Sequence, residues 1–422
     1  MSKRVIVWIL GILVIVMPLA AQTDFFTICK NGTATDVSKA LKAGADKEAR
    51  DPDGWTPLMS AAGFNPNPEV ITLLLKAGAD KEARDPDGAT PLMLAAKYNP
   101  NPEVIATLLK AGADKEARNQ NGWTPWMIAA DSNLNSEVMI TLLLNADVDK
   151  EARTKDGWIP LMSAAANNPN PEVITLLLNA GADKEARDQY GGTPLMYSAR
   201  YNPNPEVIAT LLNAGADIEA RTKDGGTPLM LAASNNPNPE VITTLLKAGA
   251  DIEARDKYGW TPLMLAAHNN PNPEVIATLL KAGADIAARS DIGKTPLMFA
   301  AAYNPNPEVI TLLLKAGADK EARDSEGWTP LMSAAAYNTN PEVIAALLKA
   351  GADKEARAPD GETPLMFAAR INTNPEVIGT LLKAGADAKA RDYFGKTAFD
   401  YVQKNEKLAG TKAYWVLHDA QY

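Results

Sequence analysis

The sequence predicts an all-α solenoid of helix-turn-helix units with short β-hairpin-like fingers, and three observations carry that expectation. Glycine recurs at 54, 88, 122, 157, 191, 225, 259, 293, 327, 361 and 395, each step being 34 residues except one of 35. Each interval holds two apolar segments of helical length, nearly all opened by a capping residue and a proline. A short polar stretch closes each interval before the next glycine. A period of this length means stacked units that bury their apolar faces only against neighbours. The 422 residues therefore form one elongated array, where length alone suggests two or three globular domains.

The first element is an address. Residues 1–21 start with Lys3 and Arg4, continue through an apolar run from Val5 to Met17, and end in Pro18 and small residues. That is the plan of a secretory signal peptide cleaved after Ala20 or Ala21, which predicts an exported chain, periplasmic or secreted. The alternative is an uncleaved signal anchor, because Val5 to Ala21 approaches the length that spans a bilayer. The membrane enters the expectation only through this segment.

One unit, Gly54 to Asp87, shows the local logic. Thr56 caps a first helix that has Pro57 at its first position, followed by Leu58, Met59, Ala61 and Ala62. Asn65-Pro66-Asn67-Pro68 stops it, and Asn67-Pro68-Glu69 starts a second helix with an acid near its positive end. Val70, Ile71, Leu73, Leu74 and Leu75 form the apolar face, and Gly78 supplies a left-handed C-terminal cap. Asp80 to Asp87 then suits an extended finger with a tight turn before Gly88. Runs such as Lys81-Glu-Ala-Arg-Asp85 alternate in sign and predict a solvated ladder of weak ion pairs.

The Gly-x-Thr-Pro-Leu start, the paired alanine, the Val-x-x-Leu-Leu second helix and the Gly-Ala-Asp ending resemble the ankyrin repeat. The likeness, of the bacterial exported kind with a signal peptide, covers roughly residues 23–422. Two departures stand out. Methionine (Met59, Met93, Met162) occupies the family's histidine position, exchanging a hydrogen-bonding group for an adaptable apolar one. The Asn-Pro-Asn-Pro connection is one residue longer than the family's turn.

The organisation expected is thus a leader (1–21), an N-terminal capping repeat (22–53), ten repeats (54–394) and a C-terminal capping repeat (395–422). In the N-terminal cap only a second-helix-like half, Val37 to Leu41, is visible. Repeat three departs most: Trp126 replaces leucine, Leu134 and Ser136 replace prolines, Met139-Ile140 adds a residue and Asp147-Val148-Asp149 replaces Gly-Ala-Asp. A lengthened second helix without its glycine cap predicts locally disturbed stacking, which reads either as repeat decay or as a hinge.

Composition excludes several functions. The net charge of −9 falls by two further units if Lys3 and Arg4 leave with the leader, so phosphate backbones are repelled and no nucleic-acid partner is expected. Cys29 is the sole cysteine, and His268 and His418 stand 150 residues apart, which leaves no zinc site and no nucleophile-base pair. The one methionine per repeat cannot share a soft metal across units stacked about 10 Å apart. No enzyme, metal or cofactor is expected, and the chain is read as a monomer.

The resemblance places a partner on the concave face, built from the finger tips and first helices. The residues that vary there are aromatic. Trp55, Trp123, Trp158, Trp260 and Trp328 follow the motif glycine; Phe64, Tyr98, Tyr201, Tyr303 and Tyr337 follow the paired alanine; Tyr190 and Tyr258 precede their glycines. Such a stripe admits two readings: an exposed surface that binds another protein, or rings that seal the gaps between repeats. Rings also stack on sugars, so carbohydrate or cell-wall binding is the alternative function.

Overall fold

Paired short helices alternate with fingers throughout the chain, as the cap signals require. The structure is a computed structural model and describes residues 19–146 and 148–420; residues 1–18, and with them most of the expected leader, lie outside it. Among the described residues there are 24 helices and no strands. None is long and apolar enough to cross a membrane. The chain divides into two compact units, one ending at Lys155 and the other starting at Asp156.

The first helices of successive repeats pack on one another within each unit, and so do the second helices. Two helices precede the first full repeat, α1 (Leu19–Asn31) and α2 (Ala34–Lys42). They are followed by α3 (Pro57–Phe64) and α4 (Pro68–Lys76). Helix α1 packs on α3 and buries Phe25 and Cys29. The N-terminal cap is therefore a full helix pair, whereas the sequence showed only its second half. The first helix was hidden because it lacks the Thr-Pro-Leu start and begins at Leu19, inside the segment expected to be the leader.

Local chemistry follows the sequence expectations closely. Thr56 Oγ1 accepts the Met59 N–H and Asn67 Oδ1 accepts the Glu69 N–H, satisfying donors that a helix start leaves free. Ile159 replaces the capping threonine in one repeat, and that helix starts without a side-chain cap. The methionine keeps part of the polar role assigned to the family's histidine: Met59 Sδ accepts the Thr56 N–H at 3.3 Å. Gly88 has φ +80°, and a Cβ there would lie 3.2 Å from the Gln120 backbone nitrogen in the next finger. It is at this point that neighbouring fingers join, through Gln120 N–H to Asp87 O at 3.0 Å.

Asparagine does more than stop the first helix. Asn99 is buried, and its side-chain nitrogen donates to Ala62 O at 2.8 Å and Asn65 O at 2.9 Å, both in the preceding repeat. Its Oδ1 accepts the Asn101 N–H, and Asn101 in turn donates to Pro66 O. The pattern recurs through the second unit, for example from Asn236 to Ala199 O and Asn202 O and from Asn270 to Ala233 O and Asn236 O. Asn405 continues it in the C-terminal cap, and Asn65 opens it on Cys29 O and Gly32 O of α1 and its end. Within each unit, the extra turn residue thus serves two rows of amides that tie a repeat to the one before it.

Within each unit, charged runs such as that of residues 81–85 tie a repeat to the one after it through backbone groups, where ion pairs were expected. Arg84 Nη1 donates to Arg118 O at 2.7 Å, and Lys81 Nζ to Ala111 O at the end of the following second helix. Glu82 Oε1 accepts the Asp114 N–H at 2.8 Å. Carbonyls at helix ends and unpaired finger N–H groups attract these charges, and a charge-assisted bond to backbone is stronger than an exposed ion pair.

Repeat three keeps its place against repeat two. Asn133 donates to Ala96 O and Asn99 O, and the second helix, Ser136–Ala146, has 11 residues where its neighbour Pro102–Lys110 has nine. Met139, the extra residue's position, is buried. Trp126 fills the leucine site at 1% exposure and leaves its indole N–H without a hydrogen-bond partner. Asp147, which replaces the capping glycine, lies outside the described residues.

Cys29 provides a check on the N-terminal cap. Burial pushes its thiol up to about 12. A thiol reagent at pH 8 should therefore modify folded protein at least about a hundredfold more slowly than urea-unfolded protein, because the thiolate is the reacting form. Equal rates would show that α1 does not pack its Cys29 face against α3.

Candidate functional site

Most fingers hold the variable residue by a loop closed on a side chain four residues earlier, an acid or amide for Trp55, Trp123, Trp260 and Trp328 and a hydroxyl for Gly226 and Lys294. Trp55 N–H donates to Asp51 Oδ1 at 2.8 Å, and Trp260 and Trp328 N–H groups donate to Asp256 and Asp324 at 2.9 Å. The loop aims the indole along the stack toward the following first helix. Trp260 lies 4.2 Å from the Phe299 ring, Trp328 4.3 Å from Phe367 and Trp158 4.3 Å from Tyr197. Trp55 packs against the cluster that contains Leu94. These residues stand 39 positions after their tryptophans, and that fixed offset was a sequence signal for the pairing. All five tryptophans are half-buried.

The residues after the paired alanine behave differently. Tyr98, Tyr201, Tyr303 and Tyr337 are 43, 47, 45 and 42% exposed, although their rings are stacked on neighbours. Tyr190 and Tyr258, on the finger tips, are more open still, and Lys257 lies over the Tyr258 ring while pairing with Asp224. The structure thus separates two classes that the sequence joined in one stripe: indoles wedged between repeats and phenols displayed beside them.

Three groups of rings result. In the first unit Phe64 stacks between Trp55 at 5.8 Å and Tyr98 at 5.4 Å, with Lys30 Nζ 4.1 Å over Phe64. Trp123 stands apart from these rings, two repeats from Trp55 and beyond the small Ala89. In the second unit Tyr197 joins Trp158 to Tyr201. Its hydroxyl bonds Asp188, and burial together with that carboxylate raises its pKa. Gly192 is small for a reason, since a Cβ there would lie 2.9 Å from the Tyr197 ring.

The third group is the longest. Trp260 and Phe299 meet His268, which stacks 4.5 Å from Tyr303; Tyr303 then meets Tyr337 at 5.9 Å, and Tyr337 meets Trp328 at 6.0 Å. Trp328 leads to Phe367, above which the Arg370 guanidinium sits at 5.2 Å. Sequence reasoning missed Tyr197, His268, Phe299, Phe367 and Arg370 as members of these groups. The last full repeat carries Glu362 in the tryptophan slot. It is buried, bonded to Arg370 at 2.7 Å, and burial raises its pKa against the opposing pull of Arg370.

A family model described as ankyrin repeats (3 copies) matches successive overlapping stretches, residues 25–119, 64–153, 99–188, 126–222, 195–290, 287–358 and 335–410. Helix pairs, fingers and matches agree: the chain belongs to the ankyrin-repeat family. Ankyrin repeats are protein-interaction modules and typically non-enzymatic binding scaffolds. No curated protein matches the chain. Among the described residues no group of histidine, cysteine and carboxylate side chains is arranged to hold a metal ion.

Proposed function

We propose that the chain is an exported scaffold that binds another protein across the face formed by its fingers and first helices. The observation that supports this most is the run from His268 through Tyr303 and Tyr337, whose rings are held against one another while the two tyrosines stay close to half exposed. Rigid aromatic surface loses little entropy on binding and is the usual material of interface hot spots. The wedged tryptophans support the tyrosines from behind.

The test is capture from the native extract by the leader-free chain, in wild-type form and with Tyr303→Ala plus Tyr337→Ala. The double variant should recover the bound protein at least about tenfold less well with its melting temperature almost unchanged. Equal recovery would overturn the reading. Sugar binding through the same stacked rings is the second reading, favoured by the continuous ring faces. It predicts retention on cell-wall polysaccharide that survives protease treatment of the extract. Export itself is checked by N-terminal sequencing of protein recovered outside the cytoplasm, which should begin at Ala21 or Gln22; an intact Met1 on membrane-bound protein supports the anchor.

A further inference from the structure

A cavity of about 410 Å³ opens in the first unit between Trp55 and Trp123. It exists because the intervening repeat carries Ala89 where its neighbours carry indoles, so the slot for one ring is empty. Met93, Leu94 and Ile128 form an apolar floor, and Tyr98 adds a third aromatic wall. The rim is acidic: Asp85, Asp87 and Asp131 line it against the single cation Lys97. Lys97 Nζ already lies 5.0 Å from the centre of the Tyr98 ring, so the wall attracts positive charge from within the chain.

We infer that this slot receives an arginine side chain from a basic segment of the partner, an inference that rests on the partner-binding reading above. Aromatic walls attract a cation through their negative faces, and flat guanidinium stacks on them while its edge donates to carboxylates. A lysine ammonium is a compact, strongly hydrated point charge and matches planar walls less well. An apolar side chain would leave the acidic rim unmatched, and an anion would be repelled by it and by the net charge of −9. The floor accommodates the arginine stem, whose methylenes are apolar.

The probe is the capped tripeptide Gly-Arg-Gly, titrated into the full chain carrying ¹⁵N-labelled indoles, with Gly-Lys-Gly and the uncharged isostere Gly-citrulline-Gly as comparisons. The arginine peptide should shift the indole N–H signals of Trp55 and Trp123 and leave those of Trp260 and Trp328 in place. The citrulline peptide should bind at least about tenfold more weakly, having lost the charge that the rings and acids recognise. Ala89→Trp fills the slot as other repeats do naturally, and should abolish the shifts. Asp87→Asn, at an exposed finger tip, tests the rim without touching the packing and should weaken binding about threefold, whereas Lys97→Gln should strengthen it about twofold.

Citrulline binding equal to arginine, shifts spread over all the tryptophans, or titration unchanged by both Ala89→Trp and Asp87→Asn would each overturn the inference. If the arginine peptide fails while Tyr303→Ala plus Tyr337→Ala still loses the captured protein, the slot falls and the broader reading stands. If the peptide binds as described and the tyrosine variant keeps its partner, the slot stands and the broader surface falls.

Discussion

Replacing Asn236 by aspartate is expected to destabilise the second unit by about 3–5 kcal/mol at pH 7, the sum of lost hydrogen bonds and two orphaned buried carbonyls. Asn236 is buried, donates to Ala199 O and Asn202 O, and accepts only the Asn238 N–H. The new carboxylate would turn oxygens toward the two carbonyls, so burial and repulsion would raise its pKa in the folded state. A raised carboxyl pKa means that the folded protein holds the proton more tightly than the unfolded one. The deficit should therefore be smallest below about pH 4, where both states are protonated, and grow as pH rises until the folded carboxyl ionises. Asn236→Ala should cost about 2–4 kcal/mol with no such pH dependence. Urea unfolding at pH 4 and pH 7 distinguishes them; an aspartate variant as stable as wild type at pH 7 would refute the amide orientation.

The second large effect separates wedged from displayed rings. Trp328→Ala should lower stability by about 2–3 kcal/mol, less than a fully buried indole because the ring is half-buried. Phe367, in contact with it at 4.3 Å, should show a coupling of about 1 kcal/mol with Trp328 in a double-mutant cycle. Tyr337→Ala should cost under about 1 kcal/mol in stability yet weaken partner binding by about 1–2 kcal/mol. Thermal unfolding and partner titration on Trp328→Ala and Tyr337→Ala decide the matter. A Trp328 variant of unchanged stability that loses its partner would reverse the two roles.

Much of the fold was legible because each repeat restates the same local instructions. Thr-Pro, Asn-Pro-Glu and the capping glycine act within a few residues of themselves, so their meaning does not depend on what lies across the stack. Interactions between repeats were harder to read. An asparagine that ends a helix looks the same whether or not its amide reaches the preceding repeat, and Lys-Glu-Ala-Arg-Asp reads as ion pairs until helix-end carbonyls offer better partners. The site was half legible for the same reason. Trp260 and Trp328 were visible as variable positions, but Phe299 and Phe367 look like ordinary core residues unless the offset of 39 is noticed. Tyr303 and Tyr337 could not be told from Trp328 by composition, because what separates them is burial: Trp328 is wedged against Phe367, whereas the tyrosines end their helices at the surface.

The bonds between repeats also have a direction. Asparagine amides reach back toward the N-terminal neighbour, while Lys81, Arg221 and their equivalents in the charged runs reach forward to the C-terminal one. Each repeat therefore offers two different sockets, one on either side, and every regular repeat offers the same two. Excising one whole 34-residue module brings together surfaces that already fit, whereas a cut that is not a whole number of repeats leaves a donor facing the wrong carbonyl. The architecture is thus compatible with a change in copy number. A duplication or loss that spans one period would lengthen, shorten or reorder the sequence of rings on the binding face while each junction remains of a kind the protein already contains.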